Sequence, residues 1–547
     1  MTAQLSRRTA LRAVGLAAGG AALGLASACS GASTGASPTT TTGRSTAQPP
    51  SRTTSPTSSA TTPATSSTST STVPSSPLPR GWSGLARELD GRLYRPSSPG
   101  FGSVAHGYNP RYDGRSPAAV ARCSGAGDVR AAVRWAIASG RDFSVRAGGH
   151  SYTGWSTSSG LVVDVTDLHA VDIDSAARTA RIGAGARLID VYHAVAAKGR
   201  ALAAGSCPAV GVAGLARGGG IGVLSRAFGL TCDSVTGATI VLADGTVLHV
   251  DQEDDADLFW ALRGAGGGSF GAVTSFDVRL RPAPTVRTFY LTFAWEAAAD
   301  VLDAWQRWAP SADPQLWSTL HLIATTGTGR LSLAVAGTWL GSESALTRLL
   351  DGFVGKTGTA PAYRGVDVHS YESAMLLEAG CDAYQPCHLR PQGTLGREPM
   401  AATSSMLPRP LPAAGIDVVI RQVEAGLDVR SAGATAVAFD SLGGAVDEVA
   451  PAATAYGHRG ALASLQYTAT WPESEASRDP GPMDDYVRGF RRAMTPWCGD
   501  AAYVNYQDSA ITDYGRAYWG SNYRRLREVK RRVDPDEHFT FPQAVRA

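Results

Sequence analysis

The stretch VRAGGHSYTGW (residues 145–155) sets two glycines between an arginine and a histidine, then follows them with Ser151, Tyr152 and Thr153. Paired glycines let the backbone take positive φ or let another group come close to the main chain. A histidine at such a turn serves as a ligand, a base, a point of covalent attachment or a plain turn residue. The flanking pattern is easier to read. Val129, Val133, Ala136 and Ile137 fall on one helical face within residues 127–140, and Gly140 is the stop. Residues 143–146 then read as a short strand feeding the quoted loop, 161–165 as another, and 171–182 as two strands around a turn. An amphipathic helix is expected over 188–197, closed by Gly199, and a hairpin over 239–250 around Asp244-Gly245. Helices and strands mix without the alternation of a doubly wound sheet, so the spacing predicts an α+β fold.

Two more glycine-rich loops follow. Residues 205–222, GSCPAVGVAGLARGGGIG, form a run of backbone N–H groups with little side-chain cover, suited to an anionic pyrophosphate. Arg146, leading into the first loop, serves the same anion or a structural salt bridge. The third loop, residues 266–271, formally matches the dinucleotide pattern G-x-G-x-x-G. Its context excludes a Rossmann site, because a helical stretch (258–263) precedes it and a strand (272–280) follows, the reverse of the required order. The chain carries no Walker A loop, no H-E-x-x-H zinc pair and no G-x-S-x-G elbow, and no metal site is expected.

The chain has 547 residues, 43% hydrophobic and 18% charged, which implies two folded units with ample core. A formal net charge of +3 with no basic stripe gives no argument for nucleic acid, and no nucleic-acid partner is expected. SRRTAL (residues 6–11) is a twin-arginine pattern, and the apolar run over 14–28 is too mild and too short for a spanning helix. It ends in LASAC (residues 25–29), which resembles a lipobox. Residues 1–29 are therefore expected to be a Tat export signal, with a lipid anchor on Cys29 or, as the alternative, simple cleavage. The Tat translocon is then a partner, the location exported and membrane-anchored or extracellular. The Ser/Thr/Pro tract over 30–79 cannot bury enough surface to offset its chain entropy and is expected to be a disordered tether. Among seven cysteines, Cys381 and Cys387 are the best candidate disulfide pair. From about residue 288 the texture changes to strand-like runs over 288–294, 331–340, 435–442 and 463–470, with helical ones over 299–308 and 345–353. This change marks a second domain.

RAGGHSYTG, the Cys207 of SCPAVGVAG, then RGGGIG, FGLTCD and ADLFWALRGAGGGSFG, resemble the flavin-linked oxidases of the berberine bridge enzyme and glucooligosaccharide oxidase type, within the vanillyl-alcohol oxidase superfold. The ending that begins AYVNYQDSAITDYG looks like the same family's C-terminus. The resemblance implies a PCMH-type FAD-binding domain over 80–285, a substrate domain with a helix-covered antiparallel sheet over 286–500, and a segment over 501–547 returning to the first domain. It implies FAD attached twice, with His150 at the 8α-methyl group and Cys207 at C6. Ala147, Gly148, Gly149 and Ser151 from the first loop would surround it. Gly205, Val210, Val212, Gly214, Gly218, Gly219 and Gly220 would do so from the second, and Gly271, Val273 and Asn505 from farther on.

In such enzymes a substrate hydroxyl or amine loses a proton to a base while its carbon gives hydride to flavin N5. Tyr503 or Tyr506, in the Y-x-N-Y motif, is the implied base, and Gln466 and Tyr152 match other active-site positions. Ile221 and Ser464 stand where plant-type members have an activating tyrosine and lysine, so that pair cannot operate here. Asp508 or Asp382 are candidates to supply a carboxylate instead. Val210 matches a position where valine goes with oxygen access, which implies O2 as acceptor and H2O2 as product. The small-molecule substrate is expected to be a carbohydrate or other alcohol, with a secondary metabolite as the alternative; a flavin-loaded binding protein without turnover is the third reading. Trp317, Trp339, Tyr384 and Trp471 are candidate aromatics for stacking on a sugar.

Overall fold

A computed structural model describes residues 81–547. The export signal, the anchor on Cys29 and the whole of the tether lie outside the described residues. The chain first builds a four-stranded sheet in the order Arg92–Tyr94, Ala119–Arg122, Leu161–Asp164, Phe143–Arg146. Leu161–Asp164 pairs in parallel with both neighbours and is buried along its whole length, as a near-continuous apolar run should be. A five-stranded antiparallel sheet follows, in the order Val171–Asp174, Thr179–Gly183, Ala272–Arg279, Val235–Val241, Val247–Asp251. The helix Ala126–Ala138 contacts strands of both sheets through its buried face of Val129, Val133 and Ala136. One core therefore serves both layers.

The seven-stranded sheet is antiparallel throughout. Its order is Tyr363–His369, Val286–Phe293, Arg330–Trp339, Leu316–Thr325, Ala434–Ser441, Ala463–Thr470, Met400–Leu407. Four helices, Ala298–Trp308, Glu343–Thr357, Ala413–Ala425 and Gly481–Cys498, bury their apolar stripes in a second core on one face. The period-two alternation of a strand sends Leu316, Leu320 and Leu322 into that core. Trp317, Thr319 and His321 alternate with them and face the cavity described below. After residue 500 the chain packs back into the first core through Ala502, Val504, Tyr518, Trp519 and Val545. Lys530 locks this return: its buried ammonium donates to Asp534 and to the carbonyls of Ser269 and Phe539.

Most elements read from periodicity are present within a residue or two. Two local expectations needed correction. The second glycine loop contains a helix, Val212–Arg217, where a bare loop was expected. The strand Met400–Leu407 was missed because its sequence, MAATSSML, is buried on both faces and shows no polar alternation.

A cavity between a glycine cradle and a sheet wall

A cavity of about 770 Å³ lies between the first unit and the seven-stranded sheet, within the range ligand sites occupy. Its cradle comes from the glycine loops. A Cβ on Gly148 would stand 2.1 Å from the Gly211 nitrogen, and one on Gly211 would stand 2.4 Å from the Gly148 nitrogen. The first and second loops are thus pressed backbone to backbone, an approach no other residue permits. Gly149 takes φ +71°, which turns the chain so that His150 faces the cavity. Gly214 and Gly267 also line it, and a Cβ on either would meet no atom within 4 Å.

His150 stacks on Tyr108 at 4.0 Å between ring centroids. Burial lowers its pKa to about 3, the Arg187 guanidinium adds to the shift, and the Ala209 carbonyl opposes it. The imidazole is therefore neutral at physiological pH, and its buried Nε2 has no hydrogen-bond partner among the described residues. Cys207 lines the same cavity. Among the other described cysteines, Cys381 pairs with Cys387, and Cys123, Cys232 and Cys498 are free thiols.

Ala147, Ser151, Gly205, Val210, Val273 and Asn505 border the cavity as expected. Several other expected cofactor residues do not. Arg146 is consumed by a buried ion pair with Asp164 at 2.7 Å and by the carbonyls of Val104 and Ala105, so it is a structural residue and not an anion ligand. Val212 is buried in the core. Gly218, Gly219 and Gly220 act one layer behind, making room for Asn505, Tyr456 and Thr231 respectively. Gly271 makes room for Val241 and Ile240.

The two tyrosines of the Y-x-N-Y motif have opposite surroundings. The Tyr503 hydroxyl accepts from Gly220 N at 2.9 Å, Ile221 N at 3.2 Å and Asn505 Nδ2 at 2.9 Å. Burial raises its pKa to about 12 and these three donors pull it back. Tyr506 stacks on Tyr152 at 5.2 Å, lines the cavity, and its hydroxyl has no hydrogen-bond partner among the described residues. Burial holds its pKa well above the ordinary phenol value, with Tyr152 and Asp440 adding to the shift. Gln466 does not itself border the cavity; its Nε2 donates to the Tyr152 hydroxyl at 2.5 Å.

The carboxylates of the site were not those expected. Neither Asp508 nor Asp382 lines the cavity, and Asp508 is paired with Arg488 at 3.1 Å. Asp440 and Glu378 line it instead. Asp440 sits on the sheet opposite Thr319 on one side and Ser464 on the other. Burial raises its pKa to about 6, against a hydrogen bond from Thr319. Glu378, at the end of the helix Tyr371–Glu378, is raised to about 8 by burial and by Asp440. Neither forms an ion pair with a Lys or Arg among the described residues. Their sequence signal is faint, since Asp440 ends a strand and Glu378 a helix like many surface acids. Of the four candidate aromatics only Trp317 reaches the cavity, with its indole N–H buried and unpartnered. Trp339 and Trp471 belong to the second core, and Tyr384 binds Asp190 at the surface of the helix Leu188–Ala196.

A flavin dinucleotide fits these residues: a backbone-lined cradle, a neutral buried histidine, and tyrosines with carboxylates on the facing wall. The comparisons agree. Residues 117–251 match the model of the FAD binding domain, and 502–546 match that of berberine and berberine-like proteins. An uncharacterized FAD-linked oxidoreductase of Bacillus subtilis, YgaK, is 31% identical over 84% of this chain and 97% of its own length. Berberine bridge enzyme-like 12 of Arabidopsis thaliana is 31% identical over 76% of this chain and 82% of its own. Among solved structures, a chitooligosaccharide oxidase superimposes with a TM-score of 0.75 at 26% identity, covering 84% of this chain and 98% of that one. The cradle, the facing wall and these relatives together make the chain a member of the berberine bridge enzyme-like family of FAD-linked oxidoreductases.

Proposed function

We propose that the protein is an exported, membrane-tethered oxidase that removes hydride from a carbohydrate or related secondary alcohol and passes the electrons to O2, giving H2O2. The observation that carries this reading is the meeting of these groups at one cavity. His150, Tyr152, Cys207 and Val210 come from the glycine loops, Asp440 from the seven-stranded sheet and Tyr506 from the C-terminal segment, and all line the cavity. FAD, when bound, supplies the hydride acceptor. Likeness to a chitooligosaccharide oxidase supports a sugar substrate, and Val210 at the cavity wall supports oxygen access.

The chain's own residues position the alcohol and take its proton. Tyr506 is the base in this reading, because its hydroxyl is free to meet a substrate while that of Tyr503 is held by three donors. Tyr506 must release its own proton before it accepts another. Asp440, ionised above about pH 6, is coupled to it through charge and holds that proton on more firmly. Tyr152, held by Gln466, orders the ring of Tyr506 from behind.

His150 is assigned one covalent link to the flavin, and its neutral ring keeps a lone pair for that bond. Cys207, which lines the same cavity, is assigned the second, a thioether to the flavin ring. A second substrate reading, an amine-bearing secondary metabolite, draws on the unpaired carboxylates Asp440 and Glu378. Substrate screening with amino and neutral alcohols separates the two.

The test is acid precipitation of the purified protein followed by peptide mapping. Flavin should remain with the protein, on peptides containing His150 and Cys207, and only the His150→Ala/Cys207→Ala double variant should release it completely. Flavin on the His150 peptide alone would reduce the attachment to a single link. Release from the wild type would remove the covalent assignment altogether.

A further inference from the structure

Arg217 is the last residue of the helix Val212–Arg217 and borders the cavity beside Gly214 and Gly267. It is 4% exposed, and its guanidinium forms no ion pair among the described residues. Nε and Nη2 are buried without a hydrogen-bond partner. Burial alone lowers its pKa, to about 10, with no carboxylate close enough to oppose the shift, so it still carries its charge at neutral pH. The other buried arginines are compensated. Arg146 has Asp164, Arg459 has Asp233, and Arg226 donates to four backbone carbonyls.

A buried charge without a partner is expensive, and such groups are retained where a ligand completes them. The backbone holds Arg217 in place: its carbonyl accepts from Gly264 N and Gly266 N, at 2.9 and 2.8 Å. The position is therefore fixed by the third glycine loop while the charge is left open toward the cavity. Asp440 and Glu378 do not contribute to its shift, so the charge belongs to the cradle end and not to the sheet wall.

We infer that Arg217 is the counter-charge for an anionic part of the bound cofactor, so that the site is electrostatically incomplete until the cofactor is in place. This rests on the FAD reading. The anion has two sources within one molecule: the diphosphate, or the ring system when it holds two electrons and a negative charge. The chain's own residue does the same thing in either case, setting one fixed positive charge beside the cavity at no cost of reorganisation.

The experiment compares wild type, Arg217→Leu and Arg217→Lys. It measures flavin per protein, the midpoint potential of the bound flavin, and the melting temperature with flavin bound and after expression under flavin depletion. In the diphosphate case Arg217→Leu lowers flavin content several-fold. In the ring case content is unchanged, and the potential falls by about 30 mV for each tenfold loss in stabilisation of the two-electron reduced form. In both cases Arg217→Leu melts at least as high as wild type when flavin is absent, because it removes an uncompensated charge, and loses ground only when flavin is bound. Arg217→Lys restores part of the lost content or potential. The inference fails if Arg217→Leu matches wild type in content and potential, or if it melts lower by the same amount with and without flavin, as a purely structural arginine would. Absence of flavin from the wild type is a different result: it would remove the cofactor reading, and this inference with it.

Discussion

The cradle and the sheet wall hold the two sides of one cavity and are built by different means. The cradle is backbone. Its glycines come from three separate loops, and what matters is the room left by a missing Cβ, as where Gly148 and Gly211 meet. The wall is side chains delivered from afar: Thr319 and Asp440 are opposite each other on neighbouring strands, Glu378 ends a helix, and Tyr506 arrives from the C-terminal segment. A backbone site tolerates no added atom and carries few titratable groups. A side-chain site tolerates substitution without unfolding and is sensitive to pH. The difference separates variants that lose the cofactor from variants that keep it and lose turnover.

The largest expected effect on the wall side is from Tyr506→Phe. It should lower kcat by about a hundredfold or more, the range for loss of a general base, with full flavin content and an unchanged melting temperature. Tyr503→Phe should behave in the opposite way. It strips the acceptor from Gly220 N, Ile221 N and Asn505 Nδ2 in a buried place, so a stability loss on the order of 2–4 kcal/mol is expected alongside a smaller kinetic defect. A kinetic collapse in Tyr503→Phe with a near-normal Tyr506→Phe would exchange the two roles.

On the cradle side, Gly148→Ala drives a methyl group to 2.1 Å from the Gly211 nitrogen. The loops must separate, and flavin content should fall by about tenfold, each 1.4 kcal/mol of strain costing that factor. Retention of full flavin by this variant would show that the close approach is not needed for binding.

The pH dependence sharpens the same contrast. Glu378 has its pKa raised from 4.5 to about 8, so the folded protein keeps a proton there that the unfolded chain gives up. Stability should therefore decline as pH rises from about 4.5 to 8, by a few kcal/mol in order of magnitude, and Glu378→Gln should flatten that part of the curve. With Asp440 raised to about 6, the kcat profile should carry a limb near pH 6, because the charge that appears there acts on the Tyr506 proton. Asp440→Asn should remove that limb, read from a kcat profile at saturating substrate. His150 gives the cradle no such titration above pH 4, being neutral throughout.

The smallest effect is from the disulfide Cys381–Cys387, which closes a short loop just after Glu378. Loop-closure entropy for so short a ring is about 2 kcal/mol, so Cys381→Ser/Cys387→Ser should lower the melting temperature by a few degrees and leave flavin content untouched.

How much of this was legible in the chain follows the same division. The helix ahead of the quoted loop, the strands around it and the glycine signature are local, and their period or composition shows through. The role of Arg146 was not legible: the residue that completes its ion pair is Asp164, on a neighbouring strand, and sequence cannot say whether an arginine before a glycine turn meets a carboxylate or an anion. Arg217 shows the converse. It sat unremarked inside a glycine run, and only the lack of any acceptor around it makes it conspicuous.

The chain by itself determined the α+β class, the cradle loops, the family and the pair of motif tyrosines, because these depend on runs of neighbouring residues whose geometry follows from φ, period and side-chain size. Tertiary structure alone decided which tyrosine is open, which carboxylates face the cavity, and which arginine is left without a partner. Those properties depend on what lies across a few ångströms of space, where residues hundreds of positions apart are brought together by sheet pairing and by the return of the C-terminal segment to the first core.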